Sequence, residues 1–153
     1  MNTEMALQTA GELLSPWAKN TENPEPNRLG ARLEKTALLP AVKALLDAEW
    51  GYLAAITGLD LGIEVGDIEV LYHFCGGAAV LTLRVRIPRA DGSVPSICSI
   101  IPSASFFERE LSEMLGVMVT DIPDSDHLFL PDDWPDNSYP LRKDFVLQHT
   151  GTG

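Results

Sequence analysis

Glu108, Arg109, Glu110 and Glu113 fall within two helical turns of one another, and clustered carboxylates are the raw material of metal binding and acid–base chemistry. A di-iron carboxylate site needs Glu-x-x-His on each of two helices. Here the third residue after Glu110 is Glu113, and no second copy of the pattern exists. The structural alternative is a solvated helix face on which Arg109 and Glu113 form an i, i+4 ion pair, contributing roughly a few tenths of a kcal/mol. Further on, Asp124, Asp126 and His127 offer oxygen and imidazole ligands to a divalent ion, with Glu113 as an additional donor. That cluster is the centre of the one enzymatic reading the residues offer, a small metal-dependent enzyme. Its spacing matches no recognised metal loop, and a polar, solvated loop explains it as well.

Other catalytic constellations find no support. No Ser-His-Asp or Cys-His pairing sits in a recognisable local motif, and Gly76 and Gly77 open neither a phosphate loop nor a dinucleotide fingerprint. Cys75 and Cys98 lie outside any C-x-x-C spacing, so they are expected as two buried thiols rather than as zinc or iron–sulfur ligands. His73, between Tyr72 and Phe74, is expected to be structural.

Composition narrows the classes further. A formal charge of −11 repels phosphate backbones and anionic headgroups, which argues against nucleic-acid binding. Apolar runs such as Ala78 to Leu83 are far shorter than the ~20 residues that cross a bilayer. The first 14 residues carry two acids and no Lys or Arg, the opposite of a secretory leader, so a cytoplasmic location is expected. At 153 residues with 45% hydrophobic content, the chain fits one domain with a packed core.

The elements that must position these residues follow from periodicity. A first helix falls within 4–19, and the Asn- and Pro-rich stretch 20–27 reads as a linker. Leu38, Leu39, Val42, Leu45 and Leu46 give a second helix over 37–49, with Pro40 tolerated in its first turn. Strands are expected over 51–62 and 67–74. Val80, Thr82, Arg84 and Arg86 alternate with Leu81, Leu83, Val85 and Ile87, and Gly76-Gly77 turns 67–87 into an antiparallel hairpin. Arg89 to Gly92 is the next turn. A third helix starts near Ser105, with Glu108 at capping-box spacing, and places Phe107, Leu111, Met114 and Leu115 on one face. The resulting fold class is α+β: a mainly antiparallel sheet with helices packed on one face, followed by an extended irregular C-terminal tail. The boundaries are an N-terminal helix and linker (1–26), a core domain (27–120) and a tail (121–153).

That tail combines four prolines and seven aspartates with Leu128, Phe129, Leu130, Trp134, Tyr139, Leu141 and Phe145. Some thirty residues without regular structure are uncommon in a compact domain unless something ties them down, and the apolar groups point to burial against a partner. Arg142 and Lys143 either pair with nearby aspartates or serve as charged anchors at a protein interface.

Four segments in order, Glu108-Arg109-Glu110, Glu113-Met114-Leu115-Gly116, Leu130-Pro131-Asp132-Asp133-Trp134 and Tyr139-Pro140-Leu141-Arg142-Lys143-Asp144, resemble the thirty-kilodalton subunit of respiratory-chain NADH dehydrogenase, the C subunit of complex I. The same subunit type occurs in energy-converting membrane-bound hydrogenases and formate hydrogenlyases, and the wording of 134–144 is closer to that branch. The resemblance is strong over 70–145 and loose over 27–69. It implies a non-catalytic assembly subunit without a cofactor, in the hydrophilic arm of an ion-pumping oxidoreductase, peripheral to the cell membrane. The implied partners are a large catalytic subunit and further subunits with iron–sulfur clusters and flavin or nickel–iron. On this basis Glu108, Arg109, Glu110, Glu113 and Gly116 are signature residues that fix the domain's geometry, and Pro131 to Trp134 with Tyr139 to Asp144 form the partner interface. Trp134 and Leu141 are its apolar anchors and Arg142 its charged one. One departure stands out: Ile122 and Asp126 occupy positions where complex I members carry basic residues, and His127 is the nearest replacement.

Overall fold

The alternation from Ala79 to Pro88 builds the central strand. A computed structural model of the chain describes residues 2–122, 128–131, 133–135 and 138–146. In it this run is β5 (Ala79–Pro88), with Leu81, Leu83, Val85 and Ile87 buried. It pairs antiparallel with β4 (Asp67–Gly76) across the Gly76-Gly77 turn. β3 (Tyr52–Asp60) runs antiparallel along the far side of β4. On the other flank β2 (Arg28–Leu33) lies parallel to β5, and β1 (Asn20–Glu22) closes the edge antiparallel to β2. The order is β1-β2-β5-β4-β3. The sheet is mainly antiparallel, and its one parallel pairing joins strands that are separated in the chain by a helix and two strands.

Three helices cover one face of this sheet. α1 (Thr3–Leu14) starts where the Asn2 side chain accepts from the Met5 amide at 2.8 Å, and buries Ala6, Ala10 and Leu14. α2 (Leu38–Asp47), entered through a 3-10 turn at Lys35–Ala37, buries Leu38, Ala41, Val42 and Leu45. α3 (Ala104–Leu115) lies against β3 at Gly58, where a Cβ would overlap the Leu111 and Leu115 side chains. These residues merge with Ile56, Val70, Tyr72, Leu81 and Leu83 into one core. Each fully buried large apolar side chain stabilises by about 1.5–3 kcal/mol. A two-stranded parallel sheet, β6 (Ser93–Pro95) with β7 (Met118–Thr120), flanks α3.

The structure corrects three expectations. The stretch 20–27 is not only a linker, because Asn20–Glu22 pairs with Gly30–Arg32 and forms the sheet edge. Its short polar residues offer no alternation from which to read a strand. The Ser105/Glu108 capping box does not form: the N-cap is Ser103, without a side-chain bond, and Glu108 turns into the interior. Finally, Cys75 and Cys98 are half-buried rather than buried. His73 is a structural bridge, held between Thr57 Oγ1 at 2.9 Å and Thr82 Oγ1 at 3.1 Å, and burial together with the Arg28 charge lowers its pKa.

Candidate docking interface at the end of the third helix

α3 places two carboxylates on different sides of itself. Glu108, 1% exposed, accepts from the Ser96 hydroxyl at 2.7 Å, the Ile97 amide at 3.0 Å and the Cys98 thiol at 2.8 Å. Burial and this carboxylate push the Cys98 thiol pKa up. Burial, with the Glu108 charge adding to it, also raises the pKa of Tyr72, whose hydroxyl has no partner among the described residues. Glu113, 8% exposed, accepts from the amides of Leu128 and Phe129, the latter at 2.9 Å. The carboxylates expected on a solvated helix face are therefore internal ties, and Glu113 binds the tail to the helix. Arg109 and Glu110, between them, are half-buried.

The end of α3 is capped by the tail. Gly116 closes the helix in the left-handed region at φ 74°, and a Cβ there would press on the Tyr139 ring. The final carbonyls of a helix lack partners within it. The Leu141 amide donates to the Met114 carbonyl at 2.9 Å, and Arg142 Nε donates to the Leu115 carbonyl at 2.7 Å. Arg142 also donates to the Arg89 carbonyl at 3.0 Å and stands 4.7 Å over the Tyr139 ring. A guanidinium at a helix C-terminus complements the negative end of its dipole. Among the described residues, Arg142 is thus paired with helix and turn carbonyls rather than with neighbouring aspartates.

Two residues that sequence reasoning missed complete the brace. Asp60, at the end of β3 and 3% exposed, accepts from Arg89 Nε at 2.8 Å and Nη2 at 2.9 Å. It also accepts from the Gly62 amide at 3.0 Å and the Lys143 amide at 2.8 Å. Arg89 reaches on to Asp144. The Arg89 guanidinium holds the Asp60 carboxyl well below the usual carboxylate range and lowers Asp144 as well, while both carboxylates raise Arg89. No local motif marks this pair, because its members lie 29 residues apart and meet only when β3, β4 and β5 align.

Outside these ties, Trp134 stacks on Phe145 at 6.2 Å between ring centres, and its indole N–H donates to the Ser138 carbonyl at 2.8 Å. The Trp134 amide donates to the Pro131 carbonyl at 2.9 Å. A cleft of about 280 Å³ opens between helix and tail, lined by Ser112, Gly116, Leu130, Trp134 and Tyr139. Around it the apolar side chains of Leu141, 59% exposed, Met118, 64%, and Phe129, 51%, face outward. Phe129 meets the edge of Phe106 at 5.6 Å. Pro131, Asp133, Lys143 and Asp144 are exposed, and Pro140 is half-buried. Asp132 and the Asp124, Asp126 and His127 cluster lie outside the described residues. Among the described residues, no group of three or more His, Cys, Asp and Glu side chains is placed to hold a metal ion.

A five-stranded α+β body with a C-terminal segment strapped across the end of its last helix defines the class of domain. The chain belongs to the family described as respiratory-chain NADH dehydrogenase, 30 Kd subunit, whose model matches residues 31–151. It is 36% identical to formate hydrogenlyase subunit 5 of Escherichia coli (strain K12) over 114 residues, covering 72% of the chain and 20% of that protein. It is 31% identical to the NADH-quinone oxidoreductase C subunit of Nocardioides sp. over 121 residues, covering 75% of the chain and 48% of that protein. The chain therefore spans about a fifth of the first relative and about half of the second. In fold it is similar to a chain of the membrane-bound sulfane sulfur reductase, an archaeal respiratory membrane complex, with a TM-score of 0.79 at 24% identity over 94% of this chain and 85% of that one.

Proposed function

We propose that this chain is the 30 Kd-type component of a membrane-associated, ion-pumping oxidoreductase and acts there as an assembly subunit without an active site of its own. Its C-terminal tail docks on the large catalytic subunit in the hydrophilic arm. Membership of the family and the relatives in NADH-quinone oxidoreductase and formate hydrogenlyase support this reading. The observation that carries the docking role is the division of labour in the tail. Among the described residues, the amides of Leu128, Phe129, Leu141 and Lys143, the Arg142 guanidinium and the Asp144 carboxylate are tied to the chain's own body, while Leu141, Phe129 and Val146 present their side chains outward. A segment braced in this way loses little further entropy on binding, so apolar contact converts into affinity.

Electron transfer then belongs to partner subunits with iron–sulfur clusters and flavin or nickel–iron. No described helix is long and apolar enough to cross a membrane. In this reading, attachment to the membrane runs through the complex. The test is co-expression with the large catalytic subunit of the proposed complex. Leu141→Asp places a charge on an exposed side chain that makes no core contact, and is expected to cut copurification by roughly tenfold or more. Trp134→Ala is expected to act in the same direction. Undiminished copurification of both variants would sink the docking role.

A further inference from the structure

The large sheet ends in two unlike edges. On one side β1 is only three residues long, Asn20–Glu22, with Lys19 before it and Pro24 just after. A short, polar edge flanked by Lys and Pro is a poor template for further strand pairing. On the other side β3 runs for nine residues, Tyr52–Asp60, and carries no charge and no proline before Asp60.

β3 pairs with β4 along one edge only. α3 lies on its core side at Gly58, and among the described residues no backbone group outside β4 bonds to residues 52–59. A strand divides its amides and carbonyls between its two neighbours, so β3 holds a row of donors and acceptors turned away from the sheet. Exposed apolar side chains gather along the same edge. Tyr52 is 65% exposed and Leu59 44%, and in the hairpin to β4 Ile63 is 68% and Val65 55% exposed. These are four of the eleven large apolar side chains that stand exposed among the described residues, so this edge is also where such surface concentrates. Tyr52 stands opposite Cys75 and Leu59 opposite Glu69, which places both on the side of the sheet away from the helices.

We infer that a strand from a partner subunit completes the sheet at β3: an extended, uncharged segment whose backbone pairs with residues 52–59 and whose alternate apolar side chains cover Tyr52 and Leu59. The inference rests on the proposal that the chain is a subunit of a larger complex, and adds a second contact to the tail. Unpaired backbone groups are matched by another backbone, with apolar side chains at alternate positions setting the choice of segment. Residues 52–59 carry no charge with which to hold a nucleic acid or an anionic headgroup. A second copy would set two chains of net charge −11 side by side, which opposes self-pairing. At its far end β3 meets the tail, where Asp60 accepts from the Lys143 amide at 2.8 Å, so the edge is continuous with the proposed docking surface.

The test reads amide hydrogen exchange of β3 in the full chain alone and in the complex purified through a tag on this chain. A photoreactive benzoylphenylalanine in place of Tyr52 serves as a separate crosslinking probe. The outward amides of 53–59 are expected to exchange rapidly in the chain alone and roughly tenfold more slowly in the complex, and the probe to capture an uncharged segment of a partner subunit. Tyr52→Lys combined with Leu59→Lys charges two exposed side chains, and is expected to remove that protection while leaving the melting temperature unchanged. If the pair does not fold, Tyr52→Lys alone gives the same comparison with a smaller loss. Copurification of the large subunit reports the tail and exchange at β3 reports the edge. A complex that forms while β3 still exchanges rapidly therefore overturns this inference and leaves the docking role standing. Slow exchange already in the chain alone overturns it too, as does a crosslink to a second copy, to lipid or to nucleic acid. Recovery of the chain without any partner sinks both readings.

Discussion

Glu108 and Glu113 leave the same helix five residues apart and are both buried, yet they serve different structures. At about 100° per residue they point about 140° apart around α3. Glu108 reaches inward and satisfies the turn at Ser96–Cys98, whereas Glu113 reaches outward and holds the backbone at Leu128 and Phe129. The difference teaches that a buried carboxylate is identified by what donates to it. Glu108 belongs to the body's stability, and Glu113 to the placement of the tail.

The comparison breaks most visibly at Glu108. Glu108→Ala removes the acceptor of the Ile97 amide and leaves the Ser96 hydroxyl and Cys98 thiol facing apolar surroundings. Chemical denaturation is expected to show a loss of about 3 kcal/mol. A loss no larger than that of Glu113→Ala would remove the distinction between the two residues.

Asp60 tests the boundary between body and tail, since it ties both. Asp60→Asn weakens the clamp on Arg89 and the Lys143 amide and is expected to cost about 2 kcal/mol. Its folded pKa is depressed, so the native state holds fewer protons than the unfolded chain on the acid side. Its contribution is complete above the unfolded value of about 3.9 and is lost as the pH falls below it. Acid titration of stability is expected to flatten below about pH 4 in Asp60→Asn; an unchanged acid slope would show that Asp60 does not set it.

The smallest effect on stability is expected at Glu113. Glu113→Ala should change global unfolding by less than about 1 kcal/mol, while amide exchange at Leu128 and Phe129 accelerates.

Much of the body was legible because its signals are local. The alternation of Val80 to Ile87, the Gly76-Gly77 turn and the spacing of Leu38 to Leu46 each report the buried side of one element. The signature residues were also legible as ones that fix the domain's geometry, but their partners were not. Glu108 carries the same spacing to Ser105 in a capping box and in a buried network, and only the position of the Ser96–Cys98 turn decides between them. Arg142 reads in the sequence as either a partner of nearby aspartates or a charged interface anchor, and in the structure it caps α3. Asp60 and Arg89 left no trace, because long-range pairing across a sheet has no local pattern. β1 was hidden for a similar reason, being a three-residue edge with every side chain exposed.

The central claim is that the body braces the tail for docking on the large subunit. Its most direct test is the dissociation constant of that subunit for the full chain and for Glu113→Ala, measured side by side at neutral pH. With Glu113 gone the body stays folded and the tail loses its placement, so binding is expected to weaken roughly tenfold. Equal dissociation constants would contradict the account.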